Sequence, residues 1–322
     1  MAMPMEILAR TDWSALEHAY GCADDLPERL VGLLSGDADL AGGALADLDA
    51  GVLHQGTIYS CTAPVALFVA AVLGDARTEL PCQTALPWDD RVRPLRAALL
   101  EWLGDVGDST AYSDGIPDPD EAEQACQAIR AELYRAVAPF IWNPVASVRI
   151  AALRAAGHLL RAPDLGETRE ALAGRLLEDT SRTDPVERAH LAFTLDGWDI
   201  PPRQLLSDPD ERVRAYAAVA AGLDGDPVAL AEVRAALREP GAIADWFDDD
   251  EDPQQSGWFL QTLVQALLRR TTTFEEVEPE ATVIAAEPGG YARDRCLEDL
   301  LPRALQTPSE AGLRFQQSIG RP

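Results

Sequence analysis

Four histidines, at positions 18, 54, 158 and 190, are the residues with the widest reach for chemistry near neutral pH. None sits in a His-Glu-x-x-His arrangement, and no His-Glu pair occurs anywhere in the chain. The zinc-hydrolase spacing, two imidazoles one helical turn apart with a carboxylate base between them, is therefore missing. No Gly-x-Ser-x-Gly elbow presents a serine nucleophile, and a phosphate-binding Gly-x-x-x-x-Gly-Lys would need a lysine that the chain lacks. Cysteines stand at 22, 61, 82, 126 and 296, with no Cys-x-x-Cys pair among them. Their odd count and wide spacing fit packed, reduced thiols and neither a zinc knuckle nor a disulfide framework. No metal and no cofactor is expected.

Two polar segments stand out. His54-Gln55-Gly56-Thr57-Ile58-Tyr59 is interrupted by glycine just ahead of an apolar stretch. It reads either as a turn, with Gly56 at the bend and His54 and Tyr59 bonding to nearby backbone, or as a small contact patch formed by His54, Gln55 and Tyr59. The run 245–252 places six acids in eight residues around Trp246 and Phe247, with Asp248, Asp249 and Asp250 directly after the aromatic pair. One reading is a solvated loop. The other is a hook, in which Trp246 and Phe247 anchor while the carboxylates draw in a basic partner. The run lacks the alternating oxygen-ligand spacing of a calcium loop.

Elements that could position such residues are announced by a dipeptide. Asp118-Pro119, Asn143-Pro144, Asp184-Pro185, Asp208-Pro209, Asp226-Pro227 and Asp252-Pro253 each precede an amphipathic, Ala- and Leu-rich stretch. Asp or Asn is a good helix N-cap and proline suits the first helical position, so each pair predicts a helix start. Glu121, Glu187 and Glu211 stand three residues after their Asp, as a capping box requires. The segment from Asn143 to Gly157 aligns without a gap to that from Asp208 to Gly222, matching Val148 with Val213, Arg149 with Arg214 and Ala152 with Ala217. A third copy begins at Asp184 and carries His190 in the arginine's place. Gly157 and Gly222 are placed to end their helices in left-handed caps. Arg149 and Arg214 are expected to pair with an acid at a neighbouring helix start.

Second helices are expected at 166–179 and 228–238, and a shortened one at 203–206. Further helices are expected at 26–34, 44–53, 255–270 and 293–306. The apolar run 63–73 reads as a buried helix, too short to span a bilayer. Two Gly-Asp pairs and a Ser-Asp-Gly make 104–119 read as a loop. Helix pairs repeating at such a period are the signature of an α-solenoid, in which each unit contacts only its neighbours. That arrangement also suits a chain of 322 residues, long for one compact core.

The unit Asp-Pro-x-x-x-Val-Arg-x-x-Ala-x-x-Ala-x-Gly resembles the HEAT repeat, including the variant found in phycobilisome lyases. The match is good over 143–240 and extends to 88–142. Trp13-Ser-Ala-Leu-Glu-His-Ala-Tyr-Gly21 and His54–Tyr59 also resemble actinobacterial HEAT-repeat proteins, some of which are associated with toxin–immunity systems. The resemblance implies a right-handed all-α solenoid over 1–322. Irregular helices would fill 1–87 and repeats 88–240, with the loop at 104–119. An acidic loop would follow at 241–253 and capping helices at 254–322. HEAT-like DNA glycosylases cradle a base with Trp and Asp, and seven Trp are present here.

Charge bears on the partner. There are 54 acidic residues against 27 basic ones, all of the latter Arg, for a net charge of −27. Such a surface repels nucleic acid and anionic membranes and favours a neutral or basic protein. Residues 1–13 carry no apolar core for a signal peptide, so a cytoplasmic protein is expected. The expected function is a non-catalytic, protein-binding HEAT-repeat adaptor, immunity-like or regulatory, engaging its partner through an acidic surface. The alternative left open is a HEAT-like enzyme: a small-ligand or chromophore lyase, or a DNA glycosylase.

Overall fold

The computed structural model describes residues 3–179, 182–247, 253, 258–306 and 310–319. The protein is all-α, and its strands are two-residue pairs. It divides into two compact units, Met1–Leu172 and Ala173–Pro322.

The first unit opens with α1 (Pro4–Arg10) and a small hairpin, β1 (Glu17–His18) against β2 (Gly21–Cys22), with Tyr20 at its tip. α2 (Leu26–Leu30) and α3 (Ala38–Asp47) follow. α3 runs on into a wider π-turn, Leu48–Val52, in which the Leu53 N–H donates to the Leu48 carbonyl five residues back, at 3.0 Å. A tight turn at His54–Gly56 leads to α4 (Thr62–Val72), apolar nearly all round and buried as expected. The pair β3 (Pro81–Cys82) and β4 (Arg93–Pro94) closes a loop that crosses α3 at Gly42. A Cβ there would lie 2.3 Å from the Gln83 carbonyl oxygen, so only glycine fits the crossing. Next come α5 (Leu95–Ser113), α6 (Glu121–Val137), α7 (Ala146–Leu159) and α8 (Gly166–Glu178), with the division between the units falling inside α8.

α5 corrects the loop expected at 104–119. The helix continues through Gly104 and Gly107 to Ser113, and only the residues after it form the connection to α6. A glycine costs a helix about 1 kcal/mol relative to alanine. Here the two glycines admit α7, for a Cβ at Gly104 would lie 3.2 Å from the Ala155 backbone and one at Gly107 3.1 Å from the His158 side chain. α5 packs chiefly on α7 and α4 on α6, so helices two apart in sequence lie side by side. Leu99, Leu100 and Leu103 of α5 and Ala151, Ala152 and Ala155 of α7 are buried. Each such leucine contributes roughly 1.5–3 kcal/mol.

The second unit contains α9 (Pro185–Asp196), α10 (Glu211–Ala218), α11 (Pro227–Ala236), α12 (Phe259–Arg269), α13 (Glu278–Ala286), α14 (Tyr291–Gln306) and α15 (Glu310–Ser318). Here packing runs mostly between neighbours, α9 on α10, α10 on α11 and α11 on α12, and α12 then meets α14. The shortened helix is a 3-10 segment, Arg203–Ser207. α13 and α15 were not anticipated, because their short apolar patterns are diluted by Glu, Pro and Gln.

The helix starts fall into two kinds. Asp184 and Asp226 cap α9 and α11 directly, with proline at the first helical position. At the other three described pairs the cap lies two residues further on, at Asp120, Val145 and Asp210. Asn143 and Asp208 instead accept a hydrogen bond from the N–H two residues ahead, at 2.9 Å in each case. The capping box of α6 is formed by Asp120 and Glu123, not Asp118 and Glu121, and Asp118 takes a left-handed φ of 62°. Glu187 is drawn instead to the Arg182 guanidinium, 3.2 Å away, and Glu211 is the first residue of α10. Asp252 lies outside the described residues.

An arginine holds these starts. Arg149 Nη1 donates to the carbonyls of Asn143 and Pro144, at 2.8 Å each. Arg214 Nη1 reaches those of Asp208 and Pro209, at 2.9 and 3.2 Å. Arg188 makes the same bonds to Arg182 and Thr183, six and five residues back. The third copy therefore aligns on Arg188, two residues before the expected position, and His190 is a buried residue of α9. Arg188 pairs with an acid at the next helix start, its Nε and Nη2 donating to Asp208 at 2.7 and 3.1 Å, and Arg214 Nε donates to Glu232 of α11 at 3.0 Å. Neither Gly157 nor Gly222 is left-handed. Gly157 lies inside α7, and Gly222 sits in a 3-10 turn where a Cβ would meet Pro201 at 2.6 Å.

Candidate functional site

The first unit carries a half-open recess of about 530 Å³. Its floor comes from α5. Because 104–113 is helical, Asp105, Asp108 and Ser109 stand at i, i+3 and i+4 on one face. The π-turn after α3 supplies Asp49 and Ala50. The turn 54–56 adds His54 and Gln55. Gln55 takes a φ of 52° and Gly56 one of 76°, which folds this turn down onto α5 with Ser109 Oγ 3.5 Å from where a Gly56 Cβ would be. Tyr20, at the hairpin tip, lies 5.9 Å from the His54 ring and 6.1 Å from His18. Trp88 closes the other side from the loop that crosses α3. Both rings face water, with Tyr20 71% and Trp88 76% exposed.

The charges of the recess are unevenly matched. Beside it, Arg91 and Arg93 close a compact cluster with Asp89 and Glu101, all four contacts lying between 2.9 and 3.3 Å. Burial pushes Asp89 up, but the Arg91 hydrogen bond and the charges of Arg93 and Arg91 outweigh it and hold that carboxyl at about 2. Asp108 is drawn below its ordinary value by hydrogen bonding to His158, whose Nδ1 lies 2.9 Å away, and by Arg161 at 3.1 Å. Asp49 and Asp105 behave differently. Both are exposed to solvent at the recess, yet each stands among densely packed protein atoms. Enclosure, then repulsion from Asp89 and Glu101, push Asp49 up to about 6 against the pull of Arg93. Enclosure pushes Asp105 up to about 6, with repulsion from Asp49 added and only the charge of Arg154 countering strongly. Among the described residues neither carboxylate joins a hydrogen bond or ion pair, and no arginine lines the recess.

The sequence-predicted residues are distributed as follows. His54 and Gln55 line the recess. Tyr59 serves the start of α4, its N–H donating to Thr62 Oγ1 at 2.9 Å and its carbonyl accepting from the Thr62 N–H. Trp246 and Phe247 belong to the second unit, where Phe247 is buried rather than displayed. The Phe247 ring lies 5.8 Å from Tyr216 and carries the Arg212 guanidinium 4.9 Å above it, while Arg212 Nη1 donates to the Trp246 carbonyl at 2.7 Å. Phe247 is thus a core anchor for its own unit, and Trp246 beside it is half-buried. Asp248, Asp249 and Asp250 lie outside the described residues. Tyr20, Asp49, Trp88, Asp105, Asp108 and Ser109 were not singled out from sequence. The available signal was the i, i+3, i+4 spacing of the last three, hidden by reading their glycines as loop markers.

Among the described residues no three His, Cys, Asp or Glu side chains converge as a metal site, and no helix is long and apolar enough to cross a membrane. Burial pushes the Cys61, Cys126 and Cys296 thiols up to about 12, which leaves them protonated and inert. Comparison with models of known families, with curated proteins and with solved structures finds no match.

Proposed function

We propose that this chain is a non-catalytic binding protein built as a HEAT-like, right-handed α-solenoid, and that its acidic recess receives a basic side chain from a partner protein. The solenoid reading is supported by the side-by-side packing of helices two apart in the first unit and by the arginine clamp shared by α7, α9 and α10. The binding reading rests on one observation. Two unpaired carboxylates, Asp49 and Asp105, share a recess with two exposed aromatic rings and no arginine. A lysine or arginine side chain entering there gains charge-assisted hydrogen bonds and a cation–π face. It also relieves the repulsion among the acids. An immunity-like or regulatory role, in which the acidic face neutralises a basic partner, follows the same chemistry.

The test is capture of partners from the native lysate by wild type and by an Asp49→Asn/Asp105→Asn double variant, at low and high salt. A partner that is basic, released by salt and lost in the variant is the expected result. Equal capture by wild type and variant would remove the recess from the reading.

The catalytic alternative has one observation in its favour. Two carboxylates near 6 beside His54 could exchange protons close to neutral pH. A substrate-like ligand that binds the recess and is turned over, with activity lost on Asp105→Asn, would replace the adaptor by a lyase. A DNA glycosylase is disfavoured by the same acids, which repel a phosphate backbone.

A further inference from the structure

The second unit holds a cavity of about 250 Å³ that the proposed function does not use. Its inner wall is aromatic. Tyr216 of α10 and Phe259 of α12 stack in parallel at 3.7 Å, and the Trp246 ring lies 6.0 Å from Phe259. Ile243 and Leu260 complete the apolar lining. The mouth is wet, formed by the exposed Ala244 and by Tyr291, which is 65% exposed. Protein interiors are packed as densely as organic crystals and leave few voids larger than a water molecule. An open, apolar cavity with a small number of polar groups is the usual form of a small-molecule site.

The polar groups narrow the ligand. At the start of α14, Arg293 donates through Nη1 to Asp294 at 3.0 Å and through Nη2 to the Ala285 carbonyl at 3.1 Å. Its Nε–H is buried with no partner among the described residues. That nitrogen has almost no accessible surface, so a ligand in the cavity does not reach it. Tyr291, Ala292 and Arg293, the first residues of α14, line the cavity. Glu287 lines the same cavity, close enough to Gly241 that a Cβ there would sit 2.8 Å from its carboxylate, and its charge disfavours an anion. A cavity of about 150 Å³ already holds benzene, so the space here admits two fused rings.

We propose that this cavity is a binding site for a planar, uncharged, one- or two-ring aromatic molecule. The rings occupy the space beside Phe259 and Trp246. The site stands apart from the acidic recess and does not depend on the adaptor reading.

The probe is 2-quinolinone, titrated into the full chain by calorimetry, with 2-naphthoate as an anion of similar shape and decanol as a flexible apolar control. Methyl signals of Ile243 and Leu260 report the location by NMR. Saturable binding of 2-quinolinone that moves both methyl signals is expected, with both controls binding more weakly. Ala244→Trp, at the exposed mouth, should abolish binding while leaving the circular dichroism unchanged. Failure of 2-quinolinone to saturate, or unmoved methyl signals, overturns the site. Naphthoate or decanol binding as tightly as 2-quinolinone overturns the ligand class. If Ala244→Trp unfolds, the NMR location alone decides.

Discussion

Around the repeat helices of the second unit, acids meet arginines. Asp208 takes Arg188, Asp210 takes Arg212, Asp224 takes Arg269 and Arg270, Glu232 takes Arg214 and Glu280 takes Arg234. The cavity left in that unit is walled by aromatic rings. In the first unit, Arg91 and Arg93 are held by Asp89 and Glu101, and the recess alongside is left with Asp49 and Asp105 and no arginine of its own. The two regions share one composition, and their difference is local. On the proposed reading, an excess of acid becomes a recognition feature only where the fold withholds the matching cation. Elsewhere the same residue types act as helix caps and braces.

The largest effect should come from attacking the paired side of this contrast. Arg188→Gln leaves Asp208 buried without its bidentate partner and removes the clamp on α9, at a cost of about 3 kcal/mol. Chemical denaturation should show this loss, and recess binding should survive at concentrations where the variant stays folded. Next is Gly104→Val, which drives a branched side chain into Ala155 and should cost roughly 1–3 kcal/mol. Because Asp105 and Asp108 ride on the same helix, this variant should lose partner binding out of proportion to its stability, whereas quinolinone binding in the second unit should not change.

The Asp49→Asn/Asp105→Asn pair tests the unpaired side. It should weaken a basic partner by about tenfold or more while leaving the melting temperature equal or higher, since two repelling charges are removed. The pH response has a definite sign. Both carboxyls sit near 6 in the folded protein, above their ordinary value near 4. Their contribution to stability is full below about 4 and is lost as pH rises through 6. Cation binding runs the other way and should fall as pH drops from 7 to 5, a change that titration at several pH values would detect and the double variant would lack. The smallest effect is expected from Trp88→Ala, a loss of about threefold in partner affinity from one exposed cation–π face. No change there would confine recognition to the carboxylates.

Much of the helical frame was legible in the sequence, because it is written in local chemistry. The buried run at α4, the second helices α8 and α11 and the Glu287–Gly290 break before α14 stand close to where periodicity and turn residues put them. Helix caps were legible to within two residues. An Asp-Pro-Asp or Asn-Pro-Val start offers two candidate caps, and only the hydrogen bonds choose between them. The recess was not legible. Gly104 and Gly107 carry opposite meanings in a turn and in a close helix crossing, and the crossing depends on Ala155 and His158, some fifty residues away. Nor did the sequence reveal that Phe247 faces Tyr216 and not water, for an aromatic beside a row of acids looks like a surface feature until its partner is known.

The arginine clamp also sets a rule of phase. Successive residues turn a helix by about 100°, so a shift of two residues is a rotation of roughly 200°. Aligning α9 by its proline instead of by Arg188 would turn Ala189 and Ala192, both fully buried, away from the neighbours they pack against. Any scheme that shuffles, grafts or averages these helical units should therefore be indexed on the arginine that reaches back to the carbonyls five and six residues before it. A chimera joined at the proline would inherit correct lengths and plausible caps, with its apolar side facing the wrong way.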